Sequence, residues 1–258
     1  MTKYSGDYVK AFDILYNAAG RGTGNERSDI LLILADFYSD IGFIDEAKYC
    51  HSEVLKSDGD SIWYYWSLAG IEQDLTKAND LLLKEYKLDT TNIGIFKNLG
   101  TNYLILGQYK ESLECFKKVI KEAKPDGNLL KWNMQHIGLA YWQNGFRKEA
   151  DYYFHRQIES CNNENKLSGA RSKLLLTYYD LAGIYAFRGE KDKAYENLRI
   201  FNHGQVVPLW LVRLLKTDPL FDSIRNEPEF QTIEQDIETR YQTEHERVRN
   251  WLEEQGRI

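Results

Sequence analysis

Five histidines, three cysteines and scattered carboxylates are the side chains from which this 258-residue sequence could build a reaction centre. Metal or nucleophilic chemistry needs such groups at short, regular spacing on one helix face or loop. His51, His136, His155, His203 and His245 form no HExxH and no repeated ligand spacing. Cys50, Cys115 and Cys161 are odd in number and have no metal-like spacing. They read as small hydrophobes, and free thiols in helices fit a reducing, cytoplasmic compartment. The run Gly20-Arg21-Gly22-Thr23-Gly24-Asn25 is glycine-rich, but no strand precedes it and no Lys-Ser/Thr follows. It reads as an inter-helix loop rather than a phosphate cradle. The acidic pairs Glu26/Asp29 and Glu253/Glu254 have no neighbouring His and read as solvated helix faces. No catalysis, metal or organic cofactor is therefore expected.

Composition narrows the class further. A net charge of −6 without clustered Lys and Arg argues against a nucleic-acid footprint. No apolar run approaches the ~18 residues of a membrane span, and the first residues lack the apolar stretch of a signal peptide. With 43% hydrophobic residues, only four prolines and no low-complexity tract, the chain can fill a core throughout.

What must position any functional residue is a phrase that recurs. It reads Leu34-Ala35, Tyr38, Gly42, Ala47; then Leu99-Gly100, Tyr103, Gly107, Ser112. It returns as Ile137-Gly138, Tyr141, Gly145, Ala150 and as Leu181-Ala182, Tyr185, Gly189, Ala194. A small residue lets two helices approach closely, and the Tyr three places on shares its face. The glycine falls where a left-handed C-cap is wanted, and the next small residue opens a second, closely packed helix. One further residue follows on that face: His51, Phe116, Phe154 or Leu198. At this position a packed core histidine is the expected reading of His51.

This pattern resembles the tetratricopeptide repeat, with its nominal period of about 34 residues. The resemblance implies an all-α, right-handed α-solenoid of helix hairpins over residues 1–205. It divides into a half repeat at 5–19 and repeats at about 28–58, 61–89, 93–124, 131–162 and 174–204, with a C-terminal helical cap at 206–258. The repeat at 61–89 is degenerate: Trp66 holds the small-residue place and Ala69 the aromatic place, while Ala78 and Leu82 keep the second helix. The half repeat, carried by Gly6, Tyr8, Ala11, Leu15 and Ala18, is expected to be either a lone capping helix or a piece of a longer protein cut in mid-repeat.

In such a stack the first helix of each pair lines an inner groove. The register puts Leu32, Asp36 and Ser39 there in the first full repeat and Trp63 and Ser67 in the degenerate one. Lys97 and Thr101 follow, then Gln135, Leu139 and Trp142, then Tyr179, with Trp132 at the mouth of its helix. Tryptophans on this face suit a protein or peptide partner with apolar anchors; they would otherwise fill gaps between irregular repeats. Some tetratricopeptide proteins clamp a peptide carboxylate with Lys and Asn. Lys97 and Asn98 lie on the right helix, but Asp29, Asp36 and Asp60 stand where the clamp needs cations or amides, so that use is not carried over. An acidic groove end suits a basic partner.

After Phe201 the grammar changes. Pro208 opens a short apolar helix, Asp218-Pro219 makes a capped turn, and Glu227-Pro228-Glu229-Phe230 restarts a helix. Phe230, Ile233, Ile237, Tyr241, Val248, Trp251 and Leu252 then form an amphipathic stripe. The run around Asp218–Phe230 looks like the segment that closes tetratricopeptide arrays in bacterial multidomain proteins, where a signalling or DNA-binding module precedes the repeats. The expected reading is an interaction scaffold with a cap over its last repeat. The alternatives are a regulatory segment of a larger signalling protein, an enzyme of unrecognised type, and a homodimer formed through Trp251 and Leu252.

Overall fold

Each helix pair turns on one left-handed glycine. Gly42, Gly107, Gly145 and Gly189 have φ of 92°, 71°, 86° and 76° in the computed structural model, a region that costs other residues a clash at Cβ. The residue after each glycine donates its N–H back to the tyrosine carbonyl: Phe43 to Tyr38, Gln108 to Tyr103, Phe146 to Tyr141, and Glu190 to Tyr185. The glycines themselves bond to Ser39, Leu104, Trp142 and Ala186, completing the paired closure of a Schellman turn. Four turns of one geometry produce four hairpins of one geometry.

The structure describes residues 7–21, 25–58, 61–122, 133–168, 175–203 and 207–258. A single helix, α1 (Tyr8–Ala19), precedes the pairs α2 (Asn25–Ile41) with α3 (Ile44–Asp58) and α4 (Ser61–Ile71) with α5 (Leu75–Leu88). Then come α6 (Gly94–Ile105) with α7 (Tyr109–Glu122), α8 (Met134–Gln143) with α9 (Arg147–Ser168), and α10 (Leu175–Phe187) with α11 (Lys191–Asn202). The chain ends with α12 (Leu209–Thr217), a 3-10 turn at Pro219–Phe221, and the long α13 (Pro228–Glu254). There is no strand among the described residues.

Two compact units result. One comprises Met1–Asp89, Gln205–Leu214 and Gln235–Ile258; the other comprises Thr90–Gly204 and Leu215–Glu234. In the second unit the small residues act as the sequence requires. A Cβ on Gly100 would lie 2.8 Å from the Phe116 ring, and one on Gly138 would lie 2.9 Å from the Phe154 ring. Both rings are essentially sealed from water. Ser112 adds a tie across the α6–α7 pair, donating its hydroxyl to the Gly100 carbonyl at 2.7 Å.

These contacts set an expected cost. Gly138→Ala gains about 1 kcal/mol of helix propensity. It also forces a buried ring and the Ala150 carbonyl, 3.2 Å from the new Cβ, to give way. Overpacking of this kind costs about 1–3 kcal/mol, so urea unfolding should show a net loss of stability.

The C-terminal segment does more than cover the last repeat. In the second unit its 3-10 turn packs on α10: a Cβ on Gly183 would lie 3.2 Å from Leu220, and Ser223 donates to the Ala186 carbonyl at 2.8 Å. In the first unit, the far half of α13 covers the opening hairpin instead. Trp251 meets Tyr16, His245 stacks on Phe43, and Arg247 reaches Asp7. Leu252 is fully buried there. Of the two residues expected to pair with a second copy, Leu252 is interior and Trp251 is half-buried against Tyr16.

Candidate protein-binding surface

The positions expected to line the groove do not share one environment. In α10 and much of α8 they are interior. Leu139 is fully buried, Gln135 is 3% exposed and Tyr179 is 2% exposed. This corrects the reading of these three as open groove residues: Gln135 is held by Asp180 of α10, and Tyr179 by the returning C-terminal segment. Tyr179 packs edge-on against Phe201 and Phe221, with ring centroids 5.6 and 5.2 Å away, and donates its hydroxyl to Asp218 at 2.9 Å.

Around Asp218 the structure assembles polar groups that sequence reasoning left separate. Asp218 is fully buried and accepts from Tyr179, pairs with His136 Nε2 at 3.0 Å, and takes the Leu220 N–H at 3.0 Å. Burial alone would raise its pKa, but the His136 charge and hydrogen bond, with the other donors, hold the carboxyl below its ordinary value. Next to Tyr179 in the chain, Asp180 accepts amide hydrogens from Gln135 at 2.8 Å and Gln157 at 3.0 Å. Burial, with Asp218 nearby, pushes Asp180 well above the usual carboxylate range. The signal that could have exposed the cluster was the polar residues Gln135, His136 and Asp180 on otherwise apolar helices. Sealed from solvent, the Asp218 carboxylate ties α8, α10 and the 3-10 turn together.

Other candidate chemistry disperses. Cys50, Cys115 and Cys161 are free and buried, and burial pushes the Cys50 and Cys115 thiols up to about 11, so neither is a poised thiolate. His51 is buried where its sister helices put Phe or Leu, and burial lowers its pKa. No metal-holding group of His, Cys, Asp or Glu occurs among the described residues, and no described helix is long and apolar enough to cross a membrane. A shallow hollow of about 270 Å³ between Gly42, Asp45, Glu46, His245, Arg249 and Ile258 falls short of the ~300–1,000 Å³ usual for small-molecule sites.

The remaining expected positions stay at the surface. In the second unit α6 carries Lys97 and Thr101, both half-buried, and Thr101 donates its hydroxyl to the Lys97 carbonyl at 3.2 Å. Burial pushes the Lys97 ammonium below its ordinary value, so a carboxylate or carbonyl brought to it would replace solvation already partly lost. Trp142, at the end of α8, is half-buried and fixed on two sides. The Arg147 guanidinium lies 3.7 Å over its ring and Phe187 meets it edge-on at 5.4 Å. In the first unit Leu32 is half-buried and Asp36 exposed on α2. Trp132 and the side chain of Trp63 lie outside the described residues.

Residues 97–126, the α6–α7 hairpin and its exit, match the tetratricopeptide repeat family model. No curated protein matches the chain. Two crystal structures of MamA are similar, one at 25% identity and TM-score 0.45 over 62% of this chain and 92% of that one. The other is at 24% identity and TM-score 0.43, over 64% and 92%. Residues 97–126 thus carry a tetratricopeptide repeat, and the sister hairpins share its small–aromatic–glycine–small frame and its glycine closure.

Proposed function

We propose that this chain is a protein-interaction scaffold whose first-helix faces take an extended peptide or a helix of a partner protein. The observation that carries the reading is Trp142. A large aromatic side chain held between a guanidinium and a ring edge, yet half open, has lost its rotamer freedom before a partner arrives. Anchors of that kind dominate binding energy because their ordering cost is already met. Lys97 and Thr101 on α6 supply polar contacts on the neighbouring helix. The last hairpin does not contribute in this reading, since its own chain fills the corresponding face; the Asp218–Ser223 segment acts as the array's closure.

Trp142→Ala should weaken partner capture by about tenfold or more, in line with hot-spot truncations. The check is recovery of bound proteins on the immobilised full chain beside the variant, with circular dichroism confirming equal helicity. Undiminished recovery with intact helicity would remove Trp142 from the site. Loss of helicity would make it a core residue.

A further inference from the structure

The residue after the turn glycine differs among the four sister hairpins in a way that marks a second docking surface. It is Gln108 in one and Glu190 in another, and both close the turn through the same backbone bond as their sisters. In the other two it is Phe43 and Phe146. The turn thus needs no aromatic here. Phe43 is explained by what covers it: it is 6% exposed, His245 of α13 stacks on it at 4.7 Å and 18°, and Tyr38 meets its edge. Phe146 touches Tyr141 with the same edge-on geometry but is 46% exposed.

Around Phe146 the rings continue. Tyr141 stacks on Tyr153 at 5.5 Å with only 9° between planes, and Tyr152 abuts Tyr153. Tyr153 replaces the buried Cys50 of the sister hairpin, which enlarges the apolar face just where cover is missing. On the α2–α3 hairpin the covering helix brings His245 Nδ1 to the Ile41 carbonyl at 2.6 Å and Arg249 to His245 Nε2 at 2.9 Å. Arg249, which pairs with Glu246 of its own helix at 3.6 Å, lines one hollow together with Asp45 and Glu46. Glu149 occupies the place of Glu46 in the α8–α9 hairpin, exposed; burial raises the pKa of Tyr141, Lys117 opposes the rise, and Glu149 and Glu114 add to it.

We propose that the Tyr141–Phe146–Tyr153 platform docks an amphipathic helix of a partner protein that carries an aromatic or imidazole ring one turn from an arginine. The occupant follows from the sister platform, where a helix of that chemistry is seated, and from the carboxylate Glu149 that an arginine would meet. The surface uses none of Lys97, Thr101 and Trp142, so it stands or falls apart from the inner-face reading. A ring laid on Phe146 gains stacking and apolar burial, and the arginine gains a carboxylate at the rim.

The probe is a labelled synthetic peptide of residues 235–258, the segment that covers Phe43, titrated into the full chain. Saturable binding that Phe146→Gln weakens tenfold or more, with an unchanged urea unfolding curve, supports the proposal. Gln at this place is the residue of a sister hairpin; should that variant not fold, Phe146→Glu, carrying the residue of the other sister, repeats the test. No saturable binding, or equal binding to both proteins, overturns it. Concentration-dependent self-association of the chain, abolished by Phe146→Gln, overturns it in favour of a second copy as the occupant.

Discussion

Asp218→Ala is expected to lower the unfolding free energy by about 3–5 kcal/mol, the cost of breaking a buried, hydrogen-bonded charge pair from one side. The carboxylate is fully buried and meets His136, the Tyr179 hydroxyl and the Leu220 N–H. Alanine would leave three polar groups facing a gap in a fully buried site. Asp218→Asn keeps one acceptor oxygen for Leu220, so its loss should be smaller. Urea unfolding followed by tyrosine and tryptophan fluorescence measures both. Equal stability of Asp218→Ala and the parent would show that this contact does not hold the closing segment.

The two buried aspartates should act oppositely on pH. Asp218 titrates below its ordinary value when folded, so its contribution is present above the unfolded carboxylate pKa of about 3.9 and is lost as pH falls through the lowered folded value. Asp180 titrates well above its ordinary value when folded. The folded state then holds a proton that the unfolded state releases, and stability declines as pH rises from about 4 toward the raised value. Asp180→Asn removes that decline. The new amide can accept from one glutamine and donate to the other, and among the described residues the Gln135 and Gln157 side-chain carbonyls have no partner. Stability at neutral pH should therefore rise by about 1 kcal/mol. A lower stability for Asp180→Asn would mean that Asp180 is ionised in the fold.

How much of this was legible in the sequence depends on how far each signal reaches. The hairpins were, because a glycine with positive φ and a small residue under a ring are requirements met within one repeat. The open or closed state of a first-helix face was not. Tyr179 stands at the same register as Lys97, but the residues that bury it, Phe221 and Asp218, arrive some forty positions later. His136 illustrates the same limit: nothing near it in the chain names Asp218 as its partner. The stripe on α13 was readable from its periodicity, yet a period of three and four says only that a face is apolar. It does not say that Phe43 and Tyr16 would meet it. One signal was present and passed over: Phe43 and Phe146 differ from Gln108 and Glu190 at a single repeated place.

Val248→Asp tests that long-range closure directly. Val248 is fully buried in the first unit, between Tyr241 and Leu252 on the stripe that α1–α3 receive. A carboxylate there must either take up a proton or leave the interface, and burying it unpaired is among the changes that cost at least about 4 kcal/mol. The expected result is separation of the far half of α13 from the opening hairpin. Amide hydrogen exchange should accelerate at residues 237–252 and, because Phe43 and Tyr16 lose their cover, in α1 and α2 as well. Asn250→Asp, the same carboxylate two residues on at an exposed position, should change neither exchange nor unfolding. If Val248→Asp exchanged like the parent, the seat of α13 on α1–α3 would be too weak to matter. Phe43 would then lose its explanation as a covered aromatic, and the contrast with Phe146 would lose its force.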